Sequence, residues 1–185
     1  MAPGGDIEAG ALVRRIVRAP SLTDPDAARA RVADWLGGPD GARLAWLLAA
    51  FPSARALLEG IAYGSPYLWD LVERGGERFA NLLRADPDAH LRALLAGARD
   101  AMAAATQDDA AMRVLRRMKA EAALLIALAD IGGVWPVMRV TAALTDLAVA
   151  SVQSELHFLL RQETVRGRLA PSDKDRPEED RKSVV

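Results

Sequence analysis

The chain has no cysteine and only two histidines, His90 and His157. Disulfides and thiolate metal centres are therefore excluded, and a zinc site would have to be built mostly from carboxylates. Aromatic residues make up 5% of the sequence, and valine and isoleucine seldom alternate with polar residues, so the period-two signature of half-buried strands is nearly missing. No run approaches the about 18 consecutive apolar residues of a membrane-crossing helix. The N-terminal stretch MAPGGDIEAG lacks the basic segment and apolar run of a secretory signal. Neither sign of charge prevails: 24 basic and 25 acidic residues leave a formal charge of -1, which gives no general attraction to nucleic acid or an anionic membrane. A glycine-rich phosphate loop is also lacking. These absences lead us to expect a cytoplasmic protein with neither a nucleic-acid nor a membrane partner.

What the sequence does contain is helix-forming material. Alanine, leucine and arginine dominate, and 185 residues with 51% hydrophobic content suffice to enclose a core. The expected class is all-α: an irregular helical bundle with two long antiparallel helices toward the C-terminus. Helix punctuation is regular. TDPDAARARVADWLGG places Thr23 or Asp24 as N-cap, Pro25 in the first turn and Gly37 after the last; Ser65, Pro66 and Gly75 repeat the pattern, as do Asp86 and Pro87. Pro52 divides two short helices, because proline inside a helix removes a hydrogen bond and clashes with the preceding turn.

From Asp108 to Asp130, the residues Ala111, Leu115, Met118, Ala122, Leu125 and Ala129 recur in steps of four and three, a core-facing stripe. AALLIALA over 122–129 is apolar all round and should end inside the bundle. After the IGGVWP turn, a second helix is expected from about Pro136 to about Val165, with Val140, Leu144, Leu147, Val152, Leu156 and Leu159 on its core face. The expected organisation is an N-terminal segment with one helix over 1–20, a helical bundle over 21–165 and a charged linker over 166–185, where 11 of 20 residues are charged.

Few residues invite chemistry. Asp173 and Asp175 form an Asp-x-Asp pair of the kind that holds Mg²⁺ on a strand, but Lys174 and Arg176 crowd them and Pro171 and Pro177 bracket them, so a solvated linker is the better reading. Arg113, Arg116, Arg117 and Lys119 form a basic helix face, expected to be solvated with local ion pairs to Asp109 and Glu121, or else to dock on an acidic protein surface. Asp130 ends an apolar run at a helix C-terminus, where a carboxylate opposes the macrodipole; it should cap amides of the following turn or meet an arginine from another helix. Ser65 stands before Pro66 as an N-cap rather than a nucleophile. The two histidines sit within helical patterns beside leucines and are expected to be partly buried or surface residues.

Two stretches together carry a family resemblance: YGSPYLWDLVERGGERFANLL and LRRMKAEAALLIALADIGGVWPVMRVTAALTDLAVASVQSEL. Their order, spacing and polar anchors resemble the bacterial glutamine synthetase adenylyltransferases over about residues 60 to 160. The matching positions include Ser65, Pro66, Leu68, Arg116, Arg117, Lys119, Ile126, Ala127, Asp130, Leu144, Asp146, Leu147 and Ala148. The resemblance implies a large enzyme with an N-terminal helical region and two nucleotidyltransferase units, one removing AMP from a tyrosine of glutamine synthetase by phosphorolysis and one attaching it from ATP, both with Mg²⁺. It further implies glutamine synthetase, the PII signalling protein and an adjoining nucleotidyltransferase domain as partners of the full-length enzyme. In that family a strand follows the linker and leads to the metal-binding aspartates; Ser183, Val184 and Val185 resemble its start. No catalytic, cofactor or metal residue carries over, and Asp173 and Asp175 do not match the metal aspartates. The matched Ser65, Pro66, Leu68, Arg116, Arg117, Lys119, Asp130 and Asp146 are expected to be scaffold positions in an inactive helical fragment whose exposed apolar surface favours self-association. The alternative reading is a self-contained helical interaction module with a basic docking face.

Overall fold

The computed structural model describes residues 7–169, and these contain helices and no strand. The all-α expectation therefore holds. In chain order the helices are α1 (Leu12–Arg15), α2 (Pro25–Gly37), α3 (Pro39–Ala42), α4 (Ala45–Ala50), α5 (Pro52–Gly64), α6 (Pro66–Glu73), α7 (Gly76–Arg84), α8 (Pro87–Ala104), α9 (Asp108–Ile131) and α10 (Val137–Val165). The linker beyond Leu169, with Asp173, Asp175 and the segment 183–185, lies outside the described residues.

Five of these helices begin on a proline, whose missing N–H would have no intrahelical partner in a first turn. Side-chain oxygens accept other orphan amides: Asp24 Oδ1 from Ala27 N–H at 3.0 Å, Ser65 Oγ from Leu68 N–H at 3.3 Å, and Asp86 Oδ1 from Ala89 N–H at 2.8 Å. Pro52 separates α4 from α5 as its chemistry requires. Gly37 is the last residue of α2, one position earlier than its reading as the residue beyond the helix, and Gly38 takes the extended cap conformation.

The chain divides into two compact units, one formed by the residues up to Leu91 with Ala120–Ala143, the other by Arg92–Lys119 with the residues from Leu144 onward. In the first unit, Trp69 of α6 and Phe79 of α7 are fully buried. The Trp35 ring of α2 meets them edge-on, at centroid distances of 5.9 and 6.3 Å. The second half of α9 enters this core with Ala122, Leu124, Leu125, Ile126, Leu128 and Ala129 all buried, as an all-round apolar run requires. Gly133 stops α9 in a left-handed conformation, φ 70°, that lets Val134 and Trp135 N–H return to the Ala129 carbonyl at 2.8 and 3.0 Å. The Gly132 carbonyl accepts from Val17 N–H at 2.9 Å and so anchors the extended segment after α1. A Cβ at Gly60 would come within 2.6 Å of Pro20 Cδ; a glycine here is what lets that segment lie on α5.

In the second unit, Met102 of α8, Ala111 of α9 and Phe158 of α10 form a buried cluster, with Ala105, Val114 and Leu115 packed against it. Ala111 near the start of α9 thus lies with Phe158 near the end of α10, the pairing of helices running in opposite directions. Arg161 Nη2 donates to the Met102 carbonyl at 2.7 Å and Gln162 Nε2 to the Thr106 carbonyl at 2.9 Å, which satisfies groups around the C-terminal end of α8.

The core stripe of α9 is where its spacing puts it: five of its six positions are buried and Leu115 is half-buried. The core face expected for α10 is corrected. Leu144, Val152, Leu156 and Leu159 are exposed, and the buried positions are Val140, Ala143, Ala150, Ser154 and Phe158. Helix α10 is apolar on two faces, and the small side chains Ala143, Ala150 and Ser154 occupy much of the inward one.

Candidate functional site

A carboxylate that joins several segments of the first unit is Asp88, in the first turn of α8. Its Oδ1 accepts from Arg139 Nε at 2.7 Å and its Oδ2 from Trp135 Nε1 at 3.2 Å, while Arg15 Nη1 lies 3.8 Å from Oδ2 and 3.4 Å from Asp86 Oδ2. The Arg139 guanidinium also sits over the Trp135 ring, 4.4 Å from its centroid. Partial burial works to raise the Asp88 pKa, but hydrogen bonds from Arg139 and Trp135 and the positive charges of Arg139 and Arg15 outweigh it, and the carboxyl is held below its ordinary value. Two residues further along, His90 Nε2 lies 2.7 Å from Glu121 Oε1 of α9. Both clusters cross-link α1, α8, α9, the turn after α9 and the start of α10. They contain no nucleophile with an adjacent base, and what their geometry shows is the joining of these segments.

The matched positions are distributed over both units. Ser65, Pro66 and Leu68 build the start of α6 in the first unit, with Ser65 as the side-chain cap, as its position before a proline suggests. Asp130 lies at the end of α9. An arginine from another segment does reach it, but at the backbone: Arg18 Nη2 donates to the Asp130 carbonyl oxygen at 3.1 Å, and that oxygen also accepts from Gly133 N–H at 3.0 Å. Arg116, Arg117 and Lys119 are exposed on α9 in the second unit, beside Arg113. Among the described residues none of these four makes an ion pair, and Glu121, offered by helical spacing as a local partner, turns to His90. Asp146 is exposed on α10 and lines a groove of about 440 Å³ with Arg92 and Arg99 of α8 and Gln153 of α10. His157 is half-buried.

Asp88, Trp135 and Arg139 were not singled out from the sequence. Asp88 reads there as an ordinary acidic first-turn residue, and its partners stand 47 and 51 residues away. The available signal was a tryptophan just before, and an arginine three residues after, the proline that precedes α10.

Two further concavities are lined by mixed side chains. A cleft of about 440 Å³ in the first unit has Arg43, Trp46, Glu77, Asn81 and Arg84 on its walls, with the Arg84 guanidinium 5.7 Å from the Trp46 ring centroid. A groove of about 290 Å³ in the second unit lies between Met112 and Leu115 of α9 and Phe158 and Leu159 of α10. No group of three or more His, Asp or Glu side chains among the described residues is arranged to hold a metal ion, so these residues do not fit a Mg²⁺ or Mg²⁺–ATP centre. No described helix is long and apolar enough to cross a membrane.

Comparison with known proteins adds a specific result. The sequence model of the family described as glutamate-ammonia ligase adenylyltransferase matches residues 56–185. The chain is 50% identical over 177 residues to the bifunctional glutamine synthetase adenylyltransferase/adenylyl-removing enzyme of Bradyrhizobium sp. strain BTAi1, covering 95% of this chain and 18% of that protein. It is 51% identical over 181 residues to the protein of the same name from Bradyrhizobium diazoefficiens, covering 96% and 18%. A third such protein, from Xanthobacter autotrophicus strain Py2, is 45% identical over 158 residues, covering 84% and 16%. The chain therefore spans about a fifth of the length of the curated relatives it matches. No solved structure matches it.

Proposed function

Because the chain belongs to the glutamate-ammonia ligase adenylyltransferase family, we propose that it serves as a helical scaffold region in a cytoplasmic nucleotidyltransferase that adds AMP to glutamine synthetase and removes it. In this reading Mg²⁺ and ATP are held by an adjoining nucleotidyltransferase unit, and glutamine synthetase and the PII signalling protein are partners of the whole enzyme. The observation that carries the reading is the match itself, about 50% identity along nearly the entire chain against 18% of each relative. The donor set agrees with it. Metal-assisted phosphoryl chemistry needs carboxylates fixed around the ion, and Asp24, Asp86 and Asp88 are engaged instead as helix caps and cross-links.

The contribution of the chain is then mechanical. Asp88, Arg15, Trp135 and Arg139 hold the start of α8 and the start of α10 to the segment around α1, and the all-apolar half of α9 fills the first unit. The test is complementation. The Bradyrhizobium diazoefficiens relative with its matching part deleted should lose AMP transfer to and from glutamine synthetase, and adding this chain in trans should restore measurable activity. Full activity of the deleted protein without the chain would contradict a scaffold role.

A second reading rests on the basic face of α9. Arg113, Arg116, Arg117 and Lys119 are exposed cations that make no ion pair among the described residues, which suits docking on an acidic protein surface. Reversal of Arg116 and Arg117 to glutamate separates the two. Docking predicts loss of partner binding with the fold retained; the scaffold reading predicts activity in trans close to that of the unaltered chain.

A further inference from the structure

The cleft of about 440 Å³ in the first unit runs along one face of α7, with the α3–α4 segment as its other wall, and its charges are sorted by sign along its length. Glu77, Asn81 and Arg84 line it at steps of four and three, which stay on one side of a helix. Glu77 and Arg84, seven residues apart, are separated by about 10 Å along the axis at 1.5 Å rise per residue. Two contacts fix which part of the other wall meets each end. A Cβ at Gly76 would lie 2.8 Å from Asp40 Cβ, so Asp40 joins Glu77 at the start of α7. The Arg84 guanidinium lies 5.7 Å from the Trp46 ring centroid, so the last turn of α7 faces α4. One end of the cleft is therefore acidic and the other basic and aromatic. Arg43 stands on the wall between Asp40 and Trp46 in chain order.

Asp40, Arg43, Glu77 and Arg84 make no ion pair among the described residues, although Asp40 and Arg43 stand three apart, a separation at which Asp26 and Arg29 do pair, at 3.2 Å. Four charged side chains thus line one concavity with their partners still to be supplied. We propose that the cleft takes an extended peptide segment of a partner protein that carries a basic residue and an acidic residue three positions apart, the basic one held by Asp40 and Glu77, the acidic one by Arg84 and Arg43. In an extended chain of the polyproline type, residues three apart lie on the same side and about 9 Å apart, which matches the spacing of the two ends. The floor between them suits a backbone, because Gly76 and Ala80 are buried and carry no side chain beyond a methyl group. The volume falls within the about 300–1,000 Å³ of clefts that hold ligands. A small ion of either sign would be attracted to one end and repelled by the other, and the adjacent charges of a free amino acid reach one end only. Such recognition would operate whether or not the chain serves a nucleotidyltransferase.

Capped four-residue peptides test the two ends separately: acetyl-Lys-Ala-Ala-Glu-amide matches both, while acetyl-Lys-Ala-Ala-Lys-amide and acetyl-Glu-Ala-Ala-Glu-amide match one each. Titrated up to about 10 mM into the nitrogen-15-labelled full chain, the mixed peptide should shift the Trp46 indole and Asn81 side-chain amide resonances. It should also bind at least about threefold more tightly than either peptide of a single sign. The double variant Arg43→Gln with Arg84→Gln, at two exposed positions, should keep the helical circular dichroism and remove the advantage of the mixed peptide over the all-lysine one. Equal binding of the three peptides, or an advantage that survives in the double variant, would overturn the recognition of charge spacing. Absence of shifts at Trp46 and Asn81 with every peptide would overturn the site itself.

Discussion

Arg139 Nε donates to Asp88 Oδ1 at 2.7 Å and joins the first turn of α10 to the first turn of α8, across 51 residues of sequence. The same carboxylate accepts from Trp135 and lies near Arg15, so one acidic side chain fastens three segments of the first unit.

Asp88→Ala is expected to lower stability by about 1–2 kcal/mol, since charge-assisted hydrogen bonds are lost from a site that is partly open to water. Asp88→Asn should recover some of this through the Trp135 bond. The folded-state pKa of Asp88 lies below its unfolded value. Its contribution is therefore fully present above the ordinary aspartate range and is lost as pH falls through the depressed folded value. Denaturant midpoints measured from pH 7 downward should show a larger acid-side loss for the unaltered chain than for Asp88→Asn. Equal losses would remove the pair from the stability account.

Trp69 is fully buried and its Nε1–H has no hydrogen-bond partner among the described residues, while its ring is flanked by Trp35 and lies beneath the Arg31 guanidinium at 5.1 Å. Trp69→Phe removes both some packing and an unsatisfied donor, effects of opposite sign, and should change stability by no more than about 1.5 kcal/mol. Trp69→Ala removes the same donor but far more of the packing and should cost about 3–5 kcal/mol. Urea unfolding of the two variants checks the difference.

Gly133→Ala should destabilise by about 1–2 kcal/mol, because φ 70° is unfavourable for alanine and the new Cβ would lie 2.9 Å from Arg18 Nε. Gly97, which has open space where a Cβ would stand inside α8, provides the contrast: Gly97→Ala should stabilise the chain by about 0.5–1 kcal/mol. Thermal melts of both variants decide the matter.

The helix order was legible from the sequence because its signals are local. Proline at a first turn, an Asp or Ser one residue earlier and a glycine after α9 act on their own neighbours, and the α9 stripe has a single apolar face to choose. On α10 the same reasoning failed because the helix has two apolar faces. Hydrophobicity ranks the Leu and Val face higher, but the buried face is the one that carries Ala143, Ala150 and Ser154. The Asp88 cluster was out of reach for another reason: its geometry is fixed by the folding together of segments far apart in sequence. The family-matching residues carried the resemblance without forming a shared cluster, being caps, exposed cations and groove positions in two units.

The central claim is that these helices support nucleotidyl transfer and do not perform it. Adenylylated glutamine synthetase incubated with the purified chain, Mg²⁺ and phosphate, with AMP release followed over time, tests it most directly. We predict no release above the enzyme-free control at any Mg²⁺ concentration; Mg²⁺-dependent turnover by the chain alone would contradict it.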